Sequence, residues 1–268
     1  MNRLLIDVGN TNICVAVFSE DEALFVKRLE THEKWNQVSF SEALRQSFLE
    51  YVIAPESVSG AILSSVVPEL NSILVASVRA VCGIRLVIAD MSTIPVPIRH
   101  YDRTLLGRDR LVDMFAAWSL YHKPAVIYDL GSCSTMSALA RDGEFIGGMI
   151  SAGIEMSLEA ETEKTAQLPR LKAEPVETLL GNDTVANMLS GEVIGTAAMI
   201  DGVYERVRDE MRASGDAGEK AFGEEPEVLL IITGGLGKLI LPWLRNKYIY
   251  EPDLLMKGLL LLAKLHES

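Results

Sequence analysis

Apolar and polar positions switch between two periods along the chain, and the switches mark its elements. Residues 4–8 and 13–18 are apolar runs separated by Gly9-Asn10-Thr11, which predicts two antiparallel strands around a turn, with 23–30 as a third strand. The segment SFSEALRQSFLEYVI has apolar residues at Phe40, Ala43, Leu44, Phe48, Tyr51 and Val52. That near-helical spacing predicts a helix with Ser39 or Ser41 as its N-cap. GAILSSVV (60–67) reads as a buried strand, 69–83 as a helix ended by Gly83, and IRLVIA (84–89) as a strand. Segment 92–106, with Pro95 and Pro97, reads as an irregular crossing loop, and 109–121 as a helix.

The opening is then written a second time. Residues 126–140, VIYDLGSCSTMSALA, match 4–18, LLIDVGNTNICVAVF, at an offset of 122, which aligns Asp7 with Asp129, Gly9 with Gly131, Asn10 with Ser132 and Ala16 with Ala138. The second copy predicts strands at 125–130, 134–140 and 144–150, the last two joined by the turn Asp142-Gly143. Helices at 154–167 and 184–212, a strand at 228–233, the turn Gly234-Gly235 and a closing helix at 254–266 follow, and the acidic stretch 209–227 reads as a solvated loop. A β-β-β-α-β-α-β order is an α/β layer unit, and the duplication with the length of 268 residues predicts two such domains, 1–117 and 118–268.

Each copy puts a carboxylate where an apolar strand breaks into a turn whose N–H and hydroxyl donors suit a phosphate. One Asp-x-Gly by itself is most simply a hairpin turn. Two aligned copies, facing each other, would instead form a nucleotide cleft. Net charge of −12 disfavours general attraction to nucleic acid or an anionic membrane, so an anionic substrate needs local donors and cations. The cysteines, Cys14, Cys82 and Cys133, are an odd number without metal-type spacing, and the four histidines also lack it. A reducing compartment fits, and with no signal-peptide pattern and no run of about 20 apolar residues the sequence predicts a cytoplasmic protein.

The chain resembles the superfamily of actin, sugar kinases and acetate kinases, and more narrowly the type III pantothenate kinases. The resemblance rests on DVGNTN at 7–12, Tyr101 with GRDR at 107–110, DLGSCST at 129–135, GGMISAG at 147–153, TAQLPR at 165–170, the Thr184–Gly191 segment, TGGLG at 233–237 and EPDLLMKGL at 251–259. It departs from the family pattern at Ser132, Cys133, Ser137 and Ala152.

The resemblance implies two tandem ribonuclease-H-like domains around an interdomain nucleotide cleft, and ATP-dependent phosphorylation of pantothenate, the first step toward coenzyme A. It implies that Asp7, Val8, Gly9, Asn10, Thr11, Asn12, Ile13, Cys14 and Ser132 bind ATP with Mg²⁺, and that Asp129 holds a monovalent cation, K⁺ or NH₄⁺. Tyr101, Gly107, Arg108, Asp109, Arg110 and Thr184 would bind pantothenate, with Asp109 taking the hydroxyl proton and Thr184 reaching the site of a partner subunit in a homodimer. The cations answer a physical need, since two carboxylates about 4 Å apart repel by roughly 4 kcal/mol at an effective dielectric near 20. Two further readings stay open, a superfamily kinase for another small acceptor, because the sequence fixes the superfamily better than the acceptor, and a nucleotide-binding accessory protein, because of Ser132, Cys133 and Ser137 in the second loop.

Overall fold

The computed structural model describes residues 1–89, 91–219 and 226–267. It divides into two compact units, the first made of Met1–Pro95, Asp102–Ala116 and Leu255–Ser268, the second of Val96–Tyr101 and Ala117–Leu254. This differs from a contiguous division at 117 and 118. Residues 96–101 group with the second unit and the C-terminal helix with the first.

In the first unit, strands β1 (Asn2–Val8), β2 (Asn12–Ser19) and β3 (Glu22–Glu30) form an antiparallel meander, and β4 (Val58–Ser65) and β5 (Leu86–Ile88) extend it in parallel. The order is β3-β2-β1-β4-β5. Alternation puts Leu4, Ile6, Val8, Val15 and Val17 on one face, packed with Phe40, Leu44 and Phe48 of α1 (Gln37–Glu50) and Leu74 and Val78 of α2 (Pro68–Cys82). On the other face Leu5, Ala16 and Ile62 are equally buried, and this face also carries Asp7 and Ser64.

Helix α1 corrects the expected cap. Asn36, not Ser39 or Ser41, accepts the Val38 and Ser39 N–H groups, and the Ser39 hydroxyl accepts the Asn36 N–H in a reciprocal capping box. The helix also ends earlier than expected, at Glu50, because Val52 takes a φ of 55° and turns the chain toward β4. Helix α2 ends as expected, at Gly83 with φ 71°. Helix α3 (Arg108–Tyr121) crosses the division between the units.

The second unit repeats the plan. Strands β6 (Ala125–Leu130), β7 (Cys133–Leu139) and β8 (Phe145–Ala152) form the meander, and β9 (Leu229–Thr233) and the short β10 (Ile249–Tyr250) extend it in parallel. Read from β8, the order β8-β7-β6-β9-β10 equals that of the first sheet, which gives two tandem α/β units of the ribonuclease-H-like type. Helices α4 (Ile154–Lys164) and α5 (Thr184–Ser214) pack Leu158, Val193, Ala197 and Ile200 on Tyr128, Met136 and Leu230 of this sheet. The short α6 (Gly237–Ile240) and β10 were not legible from periodicity, and α7 (Leu254–Glu267) closes the chain. Part of the expected acidic loop is helical, since α5 runs on to Ser214, while residues 220–225 of that stretch lie outside the described residues. Among the described residues no helix is long and apolar enough to cross a membrane.

Candidate active site

In the first unit the polar residues gather at the carboxyl ends of the parallel strands β1 and β4, where open α/β sheets place ligands. Asp7 is half-buried, with Cys14 as its cross-strand partner on β2 and Ser64 on β4. The following turn is pinned from inside. Gly9 N–H donates to the Asn12 carbonyl (2.9 Å), Thr31 N–H to the Thr11 carbonyl (2.9 Å), and the Thr31 hydroxyl to the Gly9 carbonyl (2.8 Å). With three carbonyls held within the turn, the outward polar groups are the exposed side chains of Asn10, Thr11 and Asn12, a donor-rich surface for an anion. Val8 and Ile13 are fully buried in the core, so only their backbone can serve a ligand.

The start of α3 belongs to the same unit. Arg108 Nη1 donates to the Ser65 carbonyl (2.8 Å), tying the helix to the end of β4. Asp109 folds back so that its Oδ1 accepts the Arg110 N–H (2.8 Å), and a Cβ on Gly107 would collide with that same oxygen. Glycine before the helix therefore makes room for the carboxylate. Arg110 is 7% exposed and Asp113, one turn further on, 4% exposed. Burial of the guanidinium favours the planar, less hydrated cation over lysine.

The second unit places Asp129 at the corresponding position of β6, with Thr135 on β7 and Thr233 on β9 as partners in register. Its turn is held by Gly131 N–H donating to the Cys133 carbonyl (3.1 Å) and by Gly153 N–H donating to the Ser132 carbonyl (3.1 Å). Ser132 and Cys133 are exposed. Tyr101 lies in the segment 96–101, bound to the edge of β8 through Arg99 N–H to the Phe145 carbonyl (2.9 Å) and Phe145 N–H to the Pro97 carbonyl (2.8 Å). Arg99 adds bonds of 2.7 Å to Glu144 and to Asp216. The exposed Tyr101 ring stands edge-on to Phe145, centroids 5.7 Å apart. Thr184 is the first residue of α5, exposed, beside the N-cap Asp183 whose carboxylate accepts the Ala186 N–H (2.8 Å).

The structure thus brings Asp7, the 9–12 turn and Gly107–Arg110 into one unit, and Asp129, Ser132, Tyr101 and Thr184 into the other. Sequence reasoning missed Ser64 and Gly153. Ser64 had a signal, a polar pair at the end of an otherwise apolar strand. Among the described residues no three His, Cys, Asp or Glu side chains converge to hold a metal by themselves. A divalent ion at Asp7 would complete its oxygen shell from phosphate and water, which suits Mg²⁺.

A family model described as type III pantothenate kinase matches residues 3–206. A type III pantothenate kinase of Finegoldia magna is 33% identical over 269 residues, covering 99% of this chain and 98% of that protein. One of Desulfatibacillum aliphaticivorans is 32% identical over 259 residues, covering 96% and 95%. Among solved structures, a Campylobacter jejuni protein described as a Baf family transcriptional activator superposes with a TM-score of 0.55 at 16% identity, covering 98% of each chain, which is a likeness of fold.

Proposed function

The chain belongs to the type III pantothenate kinase family, and we propose that it transfers the γ-phosphoryl group of ATP to the terminal hydroxyl of pantothenate, opening coenzyme A synthesis. The observation that carries the reading is the start of α3, where Gly107 makes room for the Asp109 carboxylate and the buried Arg110 follows directly.

Phosphoryl transfer asks a protein mainly to position the reactants and neutralise charge. Asp7 would hold the hydrated divalent ion that neutralises the phosphates of ATP, and Thr11, Asn12 and Ser132 would donate to phosphate oxygens. Asp109 would orient the acceptor hydroxyl and receive its proton as the new O–P bond forms and the β–γ bridge bond breaks to release ADP. Arg110 suits the pantothenate carboxylate because guanidinium donates two parallel hydrogen bonds. Tyr101, Gly107 and Arg108 would line the pantothenate site.

Asp129 would hold K⁺ or NH₄⁺, relieving the charge it adds to an acidic protein. A homodimer would supply Thr184 from the partner subunit. In support, β8 exposes Met149 (48%) and Ile150 (64%), and Leu179, Leu180 and Val185, close to Thr184 in the sequence, are exposed too, apolar surface that a partner subunit would cover. Cys14, Cys82 and Cys133 form no disulfide among the described residues, which suits the cytoplasm.

A coupled assay of ADP release, with and without pantothenate, tests the reading. Turnover that requires pantothenate supports it. Turnover only with another acceptor, or tight nucleotide binding without turnover, overturns it.

A further inference from the structure

Ser64 carries a polar atom that the fold does not use. The residue is fully buried, and its Oγ makes no hydrogen bond among the described residues. Leaving a buried hydroxyl unsatisfied is destabilising, so a position that apolar Ala could fill holds a group that weakens the folded protein. Neighbouring Ser65 is different, since its hydroxyl donates to the Val67 carbonyl and accepts the Val67 N–H, both at 3.1 Å.

What Ser64 has beside it is Asp7. The two are partners in the parallel register of β1 and β4, so their side chains leave the same face of the sheet on strands about 4.8 Å apart. The second unit repeats the arrangement, because Asp129 on β6 is in register with Thr233 on β9, and Thr233 is also buried (3% exposed). Twice, then, the carboxylate that ends the first strand of a unit has a buried hydroxyl on the next parallel strand.

We infer that Ser64 is a positioning residue for Asp7, its hydroxyl donating to one carboxylate oxygen when the other faces the hydrated divalent cation of the nucleotide. This rests on the reading of Asp7 given above. A carboxylate that serves a metal-bound water is held better when its second oxygen is fixed, and such outer partners typically change metal affinity by about 10–100-fold. In the free protein the hydroxyl has no such role, which accounts for its being unsatisfied.

The test compares wild type with Ser64→Ala, Ser64→Thr and Asp7→Asn, measuring thermal unfolding without ligand and calorimetric affinity for a non-hydrolysable ATP analogue with and without Mg²⁺. Ser64→Ala should unfold at the same or a higher temperature than wild type, yet bind the Mg²⁺–nucleotide about 10-fold or more weakly, with metal-free nucleotide affinity unchanged. Ser64→Thr should keep the Mg²⁺ effect even where its extra methyl lowers the melting temperature. A merely structural Ser64 gives the opposite pattern, a lower melting temperature with both affinities reduced alike. If Asp7→Asn abolishes the Mg²⁺ effect while Ser64→Ala stays within twofold of wild type, the role of Ser64 is overturned and that of Asp7 stands. If Asp7→Asn itself leaves the Mg²⁺ effect intact, the reading of Asp7 falls, and this inference with it.

Discussion

Gly234 sits so close against Asp129 that a Cβ on the glycine would overlap the Asp129 Oδ1 and come within 2.6 Å of the Leu130 carbonyl oxygen. Gly234 also has a φ of 89°, a region that disfavours any residue with a Cβ. The turn after β9 thus presses bare backbone onto the carboxylate at the end of β6. Gly234→Ala should lower stability by about 1–2 kcal/mol from backbone strain alone and displace the carboxylate as well. The expected signature is a lower melting temperature together with activation by potassium weakened on the order of 10-fold. Loss of stability with an unchanged potassium titration would show that Asp129 does not hold the cation.

Arg110 is almost fully buried at the start of α3, and lysine in its place would put a more strongly hydrated ammonium there and lose the planar pair of donors. Arg110→Lys should raise the KM for pantothenate about 10–100-fold, the range of a lost charge-assisted hydrogen bond, and leave that for ATP within about twofold. Steady-state kinetics in each substrate checks this. Equal KM values in mutant and wild type would make Arg110 a structural residue of the helix.

The duplicated pattern made most of the fold legible, because strand alternation and the Asp-x-Gly break are local features written in both copies. What was not legible depended on distant partners. Asn36 lies outside the apolar repeat of α1, and only the folded chain shows it as the cap in place of Ser39 or Ser41. Residues 96–101 are irregular, as the sequence predicts, but their docking through hydrogen bonds to Phe145 at the edge of β8 could not be read from it. The candidate site was legible where a short stretch carries it, as in 7–12 and 107–110. Ser64 was legible only as half of a polar pair ending an apolar strand, and its nearness to Asp7 was not, because only the register of the folded sheet sets the two side by side.

The Glu192 carboxyl on α5 is pushed above its ordinary range, chiefly by burial, against a hydrogen bond with Ser157 of α4 and with the added repulsion of Glu161, whose Oε2 is itself buried with no hydrogen-bond partner among the described residues. A raised folded pKa means that protonation stabilises the fold below the unfolded value, near 4.5, and that this contribution is lost as pH rises through the folded value. Gln keeps the shape without the charge. Glu192→Gln should therefore melt above wild type at pH 7, with the gap closing as pH falls toward 4.5. Thermal unfolding across that range decides it, and a gap independent of pH would assign the effect to packing.

Asp109 offers the sharpest test of the chemistry. Its Oδ1 already accepts the Arg110 N–H, and Asn can make the same bond through its amide oxygen, so Asp109→Asn keeps the start of α3 intact while removing the proposed proton acceptor. General-base roles contribute about 10²–10⁴ in rate, although in a loose transition state much of that share is positioning. Asp109→Asn should lower turnover on the order of 10²-fold or more, with the melting temperature and calorimetric ATP affinity close to wild type. Asp109→Ala loses the helix-start bond as well, so it should lower turnover further and lower stability too, and the difference between the two variants separates chemistry from positioning. A folded Asn variant with wild-type turnover would leave Asp109 only its place at the start of the helix.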